Sequence, residues 1–509
     1  MAKEATELDL QAKKELKKLP SWASEYEKSP FWELEDQANN QRKLIEDLDF
    51  QVESKLQTAR SLAGDLVELH QEACDHYMSL HKRLITARRS QEAHRALAHL
   101  EDHAHLLPID HPSKEIYLSY LRGESEIVLK IVNNFDEITV YPEKLSLRYL
   151  TLGEKLEGDK LKVTSINKNI STLKAELKNG SYILFLSKNG QKICYPFESN
   201  PREIWTTVPP EPRPSSESQP LVVPPPHALG QEDSLIIGGW CRCGDLEAPR
   251  AVPPIKVWVD SFVVQTHPVT HEQYLIFLND LFNQGQIDKA LKHTPQEMST
   301  SGDSLLALLY TYNENMGFSL PQNAQELGWF PQSPVVMVNW WDACAYAEWY
   351  AEHTQKPWRL LSEWEWEKAA RGVDGRAYPW GNYIDPSWCC NRLSHKEKPG
   401  TQPVGTFPID RSPYGVMGMA GNTADWTLTP HEDEPEIIDG TYAPKPDLNQ
   451  AMNTDLPARV AKGGAWDDGP AFCHTAVRHR GGANYRRHSL SFRIGYSITK
   501  EEEAKWANS

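Results

Sequence analysis

Apolar and small residues recur at alternating steps of four and three through Val52, Leu56, Ala59, Ala63, Leu66, His70, Ala73, Tyr77, Leu80 and Leu84. That is the coiled-coil period. With Pro30 before it and Pro108 after it, the pattern predicts helix over residues 31–106. The seam is roughly 50 Å long at about 1.5 Å per residue. Alanines at 59, 63 and 73 leave room for close helix approach. Two arrangements satisfy such a seam. One is a coiled coil that makes a homo-oligomer or docks a helical partner through residues 31–106. The other is an intramolecular hairpin in which residues 90–106 fold back.

The period changes to two over residues 125–207. Ile127-Val-Leu-Lys-Ile-Val, Glu137-Ile-Thr-Val-Tyr and Ser181-Tyr-Ile-Leu-Phe-Leu are short β-branched and aromatic runs, broken by Asn179-Gly and Asn189-Gly turn signals. Tyr182, Leu184 and Leu186 fall on one strand face and Ile183 and Phe185 on the other, so both faces are expected to be buried. A small antiparallel β-sandwich over 111–208 follows, after a helical region over 1–110. Pro209-Pro-Glu-Pro-Arg-Pro and Pro224-Pro-Pro mark 209–232 as a semi-extended linker. Residues 233–500 form the last domain. In it, Asp342-Ala-Cys-Ala-Tyr-Ala-Glu-Trp and Ser362-Glu-Trp-Glu-Trp-Glu-Lys-Ala-Ala-Arg read as amphipathic helices, the second with Ser362 and Glu365 in capping-box positions. Gly381, Gly421, Gly463 and Gly464 suit sharp loop turns. The fold class is α+β, multidomain.

Composition narrows the functions. A net charge of −16 over 509 residues excludes nucleic-acid binding and an anionic membrane surface as the expected roles. Met1-Ala-Lys-Glu-Ala-Thr-Glu-Leu lacks the apolar run of a signal peptide, and no stretch reaches the length of a membrane span. Eight scattered cysteines are too few for a disulfide framework, which points to a reducing, cytoplasmic location. The 17 tryptophans suit a loop-rich domain that needs large buried anchors.

Six motifs then carry a resemblance. They are Ser333-Pro-Val-Val-Met-Val-Asn-Trp-Trp, Arg359-Leu-Leu-Ser-Glu-Trp-Glu-Trp-Glu-Lys-Ala-Ala-Arg-Gly, Tyr378-Pro-Trp-Gly-Asn, Tyr414-Gly-Val-Met-Gly-Met-Ala-Gly-Asn-Thr-Ala-Asp-Trp, Lys462-Gly-Gly-Ala-Trp and Phe492-Arg-Ile-Gly-Tyr. Over about residues 233–498 the chain resembles the formylglycine-generating-enzyme, or sulfatase-modifying-factor, domain, a variant of the C-type-lectin fold. The order of helices, sandwich and this domain also resembles the part of bacterial kinase fusions that follows the kinase, with Trp388-Cys-Cys-Asn-Arg in common. No kinase motif set is present.

The resemblance implies particular chemistry. Catalytic members bind copper(I) with two cysteines five residues apart, a donor set that soft metal favours. Register on Gly463-Gly464 puts Cys473 on the first position and Arg478 on the second, so the pair is expected to be missing and Cys473 to be a structural thiol. The family's calcium loop falls on Gly418, Gly421, Thr423 and Asp425, with Gly418 lacking a side-chain oxygen; a second loop falls near Asn391 and Arg392. Calcium is left open by this set, whereas no copper or iron cofactor is expected. A related class, the ergothioneine-type iron sulfoxide synthases, uses three histidines. Here His99, His103 and His105 stand in its motif, with His70 or His76 as the third ligand. Cys241-Arg-Cys243 reads as a metal pair or a loop.

The segment Asp467–Ile494 resembles, in place and frame, the variable region of retroelement-diversified proteins. It contains no Lys, Glu, Gln, Met or Trp. Its Asp467, Asp468, Phe472, His474, Arg478, His479, Arg480, Asn484, Tyr485, Arg486, Arg487 and His488 are the types that anchor interfaces. The expected function is a non-catalytic module that binds a protein or small molecule there. The alternatives are a formylglycine-generating-type oxidase and the iron enzyme.

Overall fold

The computed structural model describes residues 25–63, 66–86, 90–132, 135–146, 149–156, 161–165, 170–178, 180–199, 205–207, 221–225, 228–297, 307–395, 399–432, 440–443 and 458–507, with a few isolated positions before 25. The chain divides into two compact units, Met1–Gly123 and Glu124–Ser509.

The first unit holds α1 (Glu25–Ala63), α2 (Val67–Thr86), α3 (Ser90–Leu106) and α4 (Lys114–Leu121). Ala73, Cys74 and Tyr77 of α2 pack against Leu100 and Ala104 of α3, with Leu107, Tyr117 and Tyr120 closing the cluster. The alanines let the two helices approach closely, and Leu84 packs on Ala93 and Ala96 at the other end. The hairpin therefore consumes the second half of the heptad seam. The seam does not run through one continuous helix: Leu66 lies outside α1 and α2 and is 53% exposed. Its first residue, Val52, faces solvent on α1, as do Leu44 and Leu48, which precede the seam. The helical region also extends past residue 110, to Leu121, where Tyr117 Oη donates to Asp75 Oδ1 at 2.7 Å.

The second unit opens with eight strands: β1 (Glu124–Val132), β2 (Glu137–Ser146), β3 (Tyr149–Leu152), β4 (Leu161–Ser165), β5 (Ile170–Lys178), β6 (Gly180–Lys188), β7 (Gln191–Ser199) and β8 (Trp205–Thr206). They form two sheets, β4-β5-β1-β8 and β3-β2-β6-β7. Ile127, Leu129 and Ile131 of one sheet meet Leu184, Leu186, Tyr195 and Phe197 of the other. Pairing is antiparallel except between β1 and β8. Part of the supposed linker is packed: Leu221 and Val223 are buried in this core, and Leu221 N donates to Lys130 O at 2.8 Å. Proline content misleads there because 221–223 supply apolar side chains and pair along the β1 edge; residues 208–220 lie outside the described ones.

Ile183 is buried and Phe185 half-buried, because the outer face of β2, β6 and β7 docks on the following domain. Ser181 Oγ donates to Asp374 Oδ2 at 2.5 Å, and Cys194 Sγ donates to Pro413 O at 3.1 Å. Arg376 spans the junction, 2.7 Å from Asp374 Oδ2 and 2.6 Å from Glu143 Oε2. Leu150 N donates to Trp380 O at 2.8 Å.

The remaining elements are β9 (Asp233–Ile236), β10 (Gly239–Cys243), β11 (Ile255–Val259), β12 (Phe262–Gln265), α5 (His271–Asn283), α6 (Ile287–Lys292), β13 (Thr311–Asn313), β14 (Gly317–Ser319), α7 (Trp340–Thr354), β15 (Arg359–Leu360), α8 (Glu363–Arg371), β16 (Ala424–Pro430), β17 (Thr441–Tyr442), β18 (Arg459–Lys462), β19 (Arg478–Gly481), β20 (Leu490–Phe492), β21 (Ile494–Ser497) and α9 (Lys500–Ala507). Trp258, Trp340, Trp364, Trp366 and Trp426 are fully buried anchors. Thr270–Gln273, Asn339–Asp342 and Ser362–Glu365 form capping boxes at α5, α7 and α8.

The α8 helix is not amphipathic in use, since all nine of its residues are buried. A buried carboxylate needs a counter-charge, and each has one. Glu363 pairs with Arg478 at 2.7 Å, Glu365 with Arg359 at 2.8 Å, and Glu367 with Arg371 at 2.8 Å and Lys462 at 2.9 Å.

Candidate ligand-binding site

The sequence leaves β18 through Gly463-Gly464 because two backbones must pass closely. Gly463 has φ +84°, and a Cβ on Gly464 would lie 2.7 Å from Ala420 O and 2.8 Å from Cys473 Cα. The chain then makes a helical turn at Pro470–Cys473, pairs β19 with β18, and loops through 482–489 to β20. Between these pieces lies a cavity of about 190 Å³ whose lining includes Arg250, Trp426, Asp468, His479, Arg480, Tyr485, Arg487 and Ser489. Gly481 lines it as well, and a Cβ there would come within 2.5 Å of the Trp426 ring.

Arg487 organises the acidic side. Its Nη2 lies 2.8 Å from Asp467 Oδ2 and 3.9 Å from Asp468 Oδ1. The other oxygen of each carboxylate, Asp467 Oδ1 and Asp468 Oδ2, is buried without a partner among the described residues, as are His479 Nε2 and Ser489 Oγ. His479 Nε2 stands 4.0 Å from Asp468 Oδ2, and its ring stacks on Phe472 at 6.0 Å. Burial and the nearby Arg487 cation hold His479 down at about 4, despite an opposing hydrogen bond to the Gly463 backbone. The imidazole is therefore neutral near pH 7. In the neutral ring one nitrogen donates and the other accepts, and the unpartnered Nε2 accepts in the Nδ1–H tautomer. Burial raises the Asp468 carboxyl above its ordinary value, with Arg487 opposing.

The expected binding residues divide. Asp468, His479, Arg480, Tyr485 and Arg487 line the cavity, Asp467 backs it through Arg487, and Phe472 supports His479. Asn484 and His488 are exposed outside the lining. Three residues turn inward instead, Arg478 and Arg486 toward buried carboxylates and His474 toward the half-buried Asp245. Arg478 donates to Glu363 and to Glu432 O, His474 sits 3.4 Å from Asp245 Oδ2, and Arg486 lies 2.5 Å from Asp342 Oδ2. Arg250, Trp426 and Ser489 were not among the expected residues. Trp426 closes the Ala-Asp-Trp motif, which was a usable signal; Arg250 comes from a distant loop and carried none.

The metal expectations meet the following geometry. Asp425 Oδ2 accepts from Arg493 Nε at 2.5 Å and from Trp366 Nε1 at 2.9 Å. Arg493 also donates to Met417 O at 3.2 Å and Gly418 O at 3.1 Å. A guanidinium thus neutralises the one carboxylate of the loop. Gly421 O already accepts from Thr423 N at 3.0 Å, although Asp425 Oδ1 and Thr423 Oγ1 remain unpartnered. This set does not fit calcium, which favours six or more oxygens with uncommitted carboxylates.

Asn391 holds its own loop, donating to Cys389 O at 3.0 Å, and Arg392 N donates to Asp468 O at 2.9 Å. Cys473 is not isolated: it hydrogen-bonds with Cys389, and both are fully buried beside Tyr378, Trp380 and Ala420. That hydrogen bond and burial raise the Cys473 thiol well above its usual value. Cys241 and Cys243 lie on β10, buried, with sulfurs 3.5 Å apart.

In the helical unit, His103 Nδ1 meets His70 Nδ1 at 3.0 Å, His99 stacks on Tyr77, and His105 is exposed. Among the described residues no group of three or more His, Cys, Asp or Glu is placed to hold a metal ion, so the three-histidine iron set does not fit. Among them also, no helix is long and apolar enough to cross a membrane.

Comparison with known proteins completes the picture. The serine/threonine-protein kinase pkn1 of Chlamydia pneumoniae is 30% identical over 54% of this chain and 39% of its own length. The formylglycine-generating enzyme of Mycobacterium tuberculosis is 27% identical over 47% of this chain and 87% of its own. The inactive C-alpha-formylglycine-generating enzyme 2 of Bos taurus is 33% identical over 26% of this chain and 39% of its own. The chain thus spans about two fifths of the length of the kinase and of the bovine protein. A sulfatase-modifying factor enzyme 1-like domain matches residues 218–497, more than half of the 509, and the chain belongs to that family.

Proposed function

We propose that this family member is a non-catalytic binding module on a lectin-like scaffold, and that its ligand, a protein or a small molecule, enters the cavity between β18, β19 and the 482–489 loop. The observation that carries this reading is the pairing of roles in one segment. Cys473 is sealed with Cys389 at 0% exposure, and Arg478 is committed to Glu363, so neither is available to a substrate thiol. Asp468 and His479, in contrast, turn unpartnered buried acceptors toward a cavity. An oxidase would need the reverse.

Crystals of the protein soaked with a fragment library test the reading, and fragments are expected to collect in this cavity. Gly482→Trp should block them, because a Cβ at Gly482 meets nothing within 4 Å and the ring would project without strain at the lining. Fragments elsewhere only, or oxygen consumption with copper and a cysteine peptide, would sink it. Arg480, Asn484, Tyr485 and His488 are exposed, as retroelement diversification of the segment would require. An imperfect repeat of its codons beside a reverse transcriptase gene would establish that. The exposed Leu44, Leu48 and Val52 of α1 suit a second copy or a helical partner in the cytoplasm. Light scattering at 57.9 kDa would reject the oligomer.

A further inference from the structure

We infer that the cavity recognises an amino-acid-like zwitterion, its ammonium on the Asp468–His479 acceptors and its carboxylate on Arg250 and Arg480. The inference rests on the binding reading above and names the ligand class.

The donor and acceptor inventory carries it. Arg487 is nearest to only one oxygen of Asp468, leaving Asp468 Oδ2, on a residue that lines the cavity, buried and unpartnered. His479 Nε2 is the second such atom, 4.0 Å from Asp468 Oδ2, and it accepts in the Nδ1–H tautomer of the neutral ring. Ser489 Oγ, which can accept as well as donate, is the third. Buried acceptors without donors are costly, and a ligand that supplies the donors recovers that cost. An ammonium has three donors and no acceptor, which matches this set. A carboxylate or phosphate in the same place would face the Asp468 carboxylate. Arg250 and Arg480 line the same cavity, and neither side chain has a partner among the described residues. They fit the anionic end, and a volume of about 190 Å³ limits the ligand to amino-acid size. Trp426 and Tyr485 add aromatic lining for its apolar part.

Calorimetry on the full chain with three probes tests this: norleucine, hexanoate (no amine) and pentylamine (no carboxylate). Norleucine should bind, with each analogue about tenfold weaker or worse, the loss expected for one charge-assisted contact. Asp468→Asn should weaken norleucine and pentylamine but not hexanoate. Arg480→Gln, at an exposed position that leaves the fold intact, should weaken norleucine and hexanoate but not pentylamine. Gly482→Trp should abolish all three. Hexanoate binding as tightly as norleucine overturns the zwitterion while leaving the cavity a binding site. Absence of binding by all three also overturns it, and the fragment soaks then decide separately whether the cavity binds anything.

Discussion

Arg478 Nε lies 2.7 Å from Glu363 Oε2, and both side chains are almost wholly buried, so a cation inside the domain holds the first turn of α8 to the edge strand β19. Removing one partner of such a pair strands the other charge. Arg478→Ala should therefore cost about 3–5 kcal/mol of unfolding free energy in urea titration. The double change Arg478→Met with Glu363→Gln should recover most of that loss. An Arg478→Ala variant as stable as the parent would show that the contact contributes nothing.

His479 links the cavity to pH. Its folded value of about 4 lies below the ordinary 6.5, so between those values the unfolded chain binds the extra proton. Stability should be full above about pH 6.5 and decline as pH falls toward 4. His474, also at about 4, and His271, at about 3, contribute in the same direction, burial being the leading cause for each. His479→Gln should flatten part of that decline, with melting temperature followed from pH 7 to 4. An NMR titration midpoint for His479 near 6.5 would remove this account, and with it the neutral ring at the cavity.

Local rules were legible in the chain, and long-range commitments were not. The Ser362–Glu365 capping box forms as read because both partners lie within one helical turn. The seam residues Ala73 and Tyr77 are core as read. The sequence could not say that their partners would be Leu100 and Ala104 rather than a second chain, because one apolar stripe suits either. Arg478 looked like a surface anchor because its counter-ion, Glu363, is 115 positions away. Leu221 and Val223 looked like linker because their neighbours are prolines, while the β1 edge they cover lies in another segment.

The junction between β2, β6 and the following domain should be acid-sensitive. Burial would raise the Asp374 carboxyl, but Arg376 and the Ser181 hydrogen bond hold it at about 2, against an ordinary 3.8. A depressed carboxylate stabilises above its unfolded value, and the contribution fades as pH falls from about 4 toward 2. Asp374→Asn should lower stability at pH 7 and flatten the acid limb between pH 4 and 2, read by circular dichroism. An unchanged acid limb would show that Asp374 titrates alike in both states.

The helical hairpin gives the last expectation. Ala73 and Ala104 are fully buried where α2 and α3 approach, so the contact depends on small side chains. Ala104→Leu adds three carbons to a packed site and should destabilise the helical unit by about 1–3 kcal/mol. The change lies outside the unit Glu124–Ser509, so ligand affinity at the Asp468–His479 cavity should be unaltered while the helical melting transition shifts down. Leu48→Glu, on the exposed α1 stripe, should leave the hairpin's stability within about 0.5 kcal/mol and lower the mass of any oligomer. Loss of hairpin stability in Leu48→Glu, with Ala104→Leu silent, would reverse the assignment of which apolar residues are spent inside the helical unit.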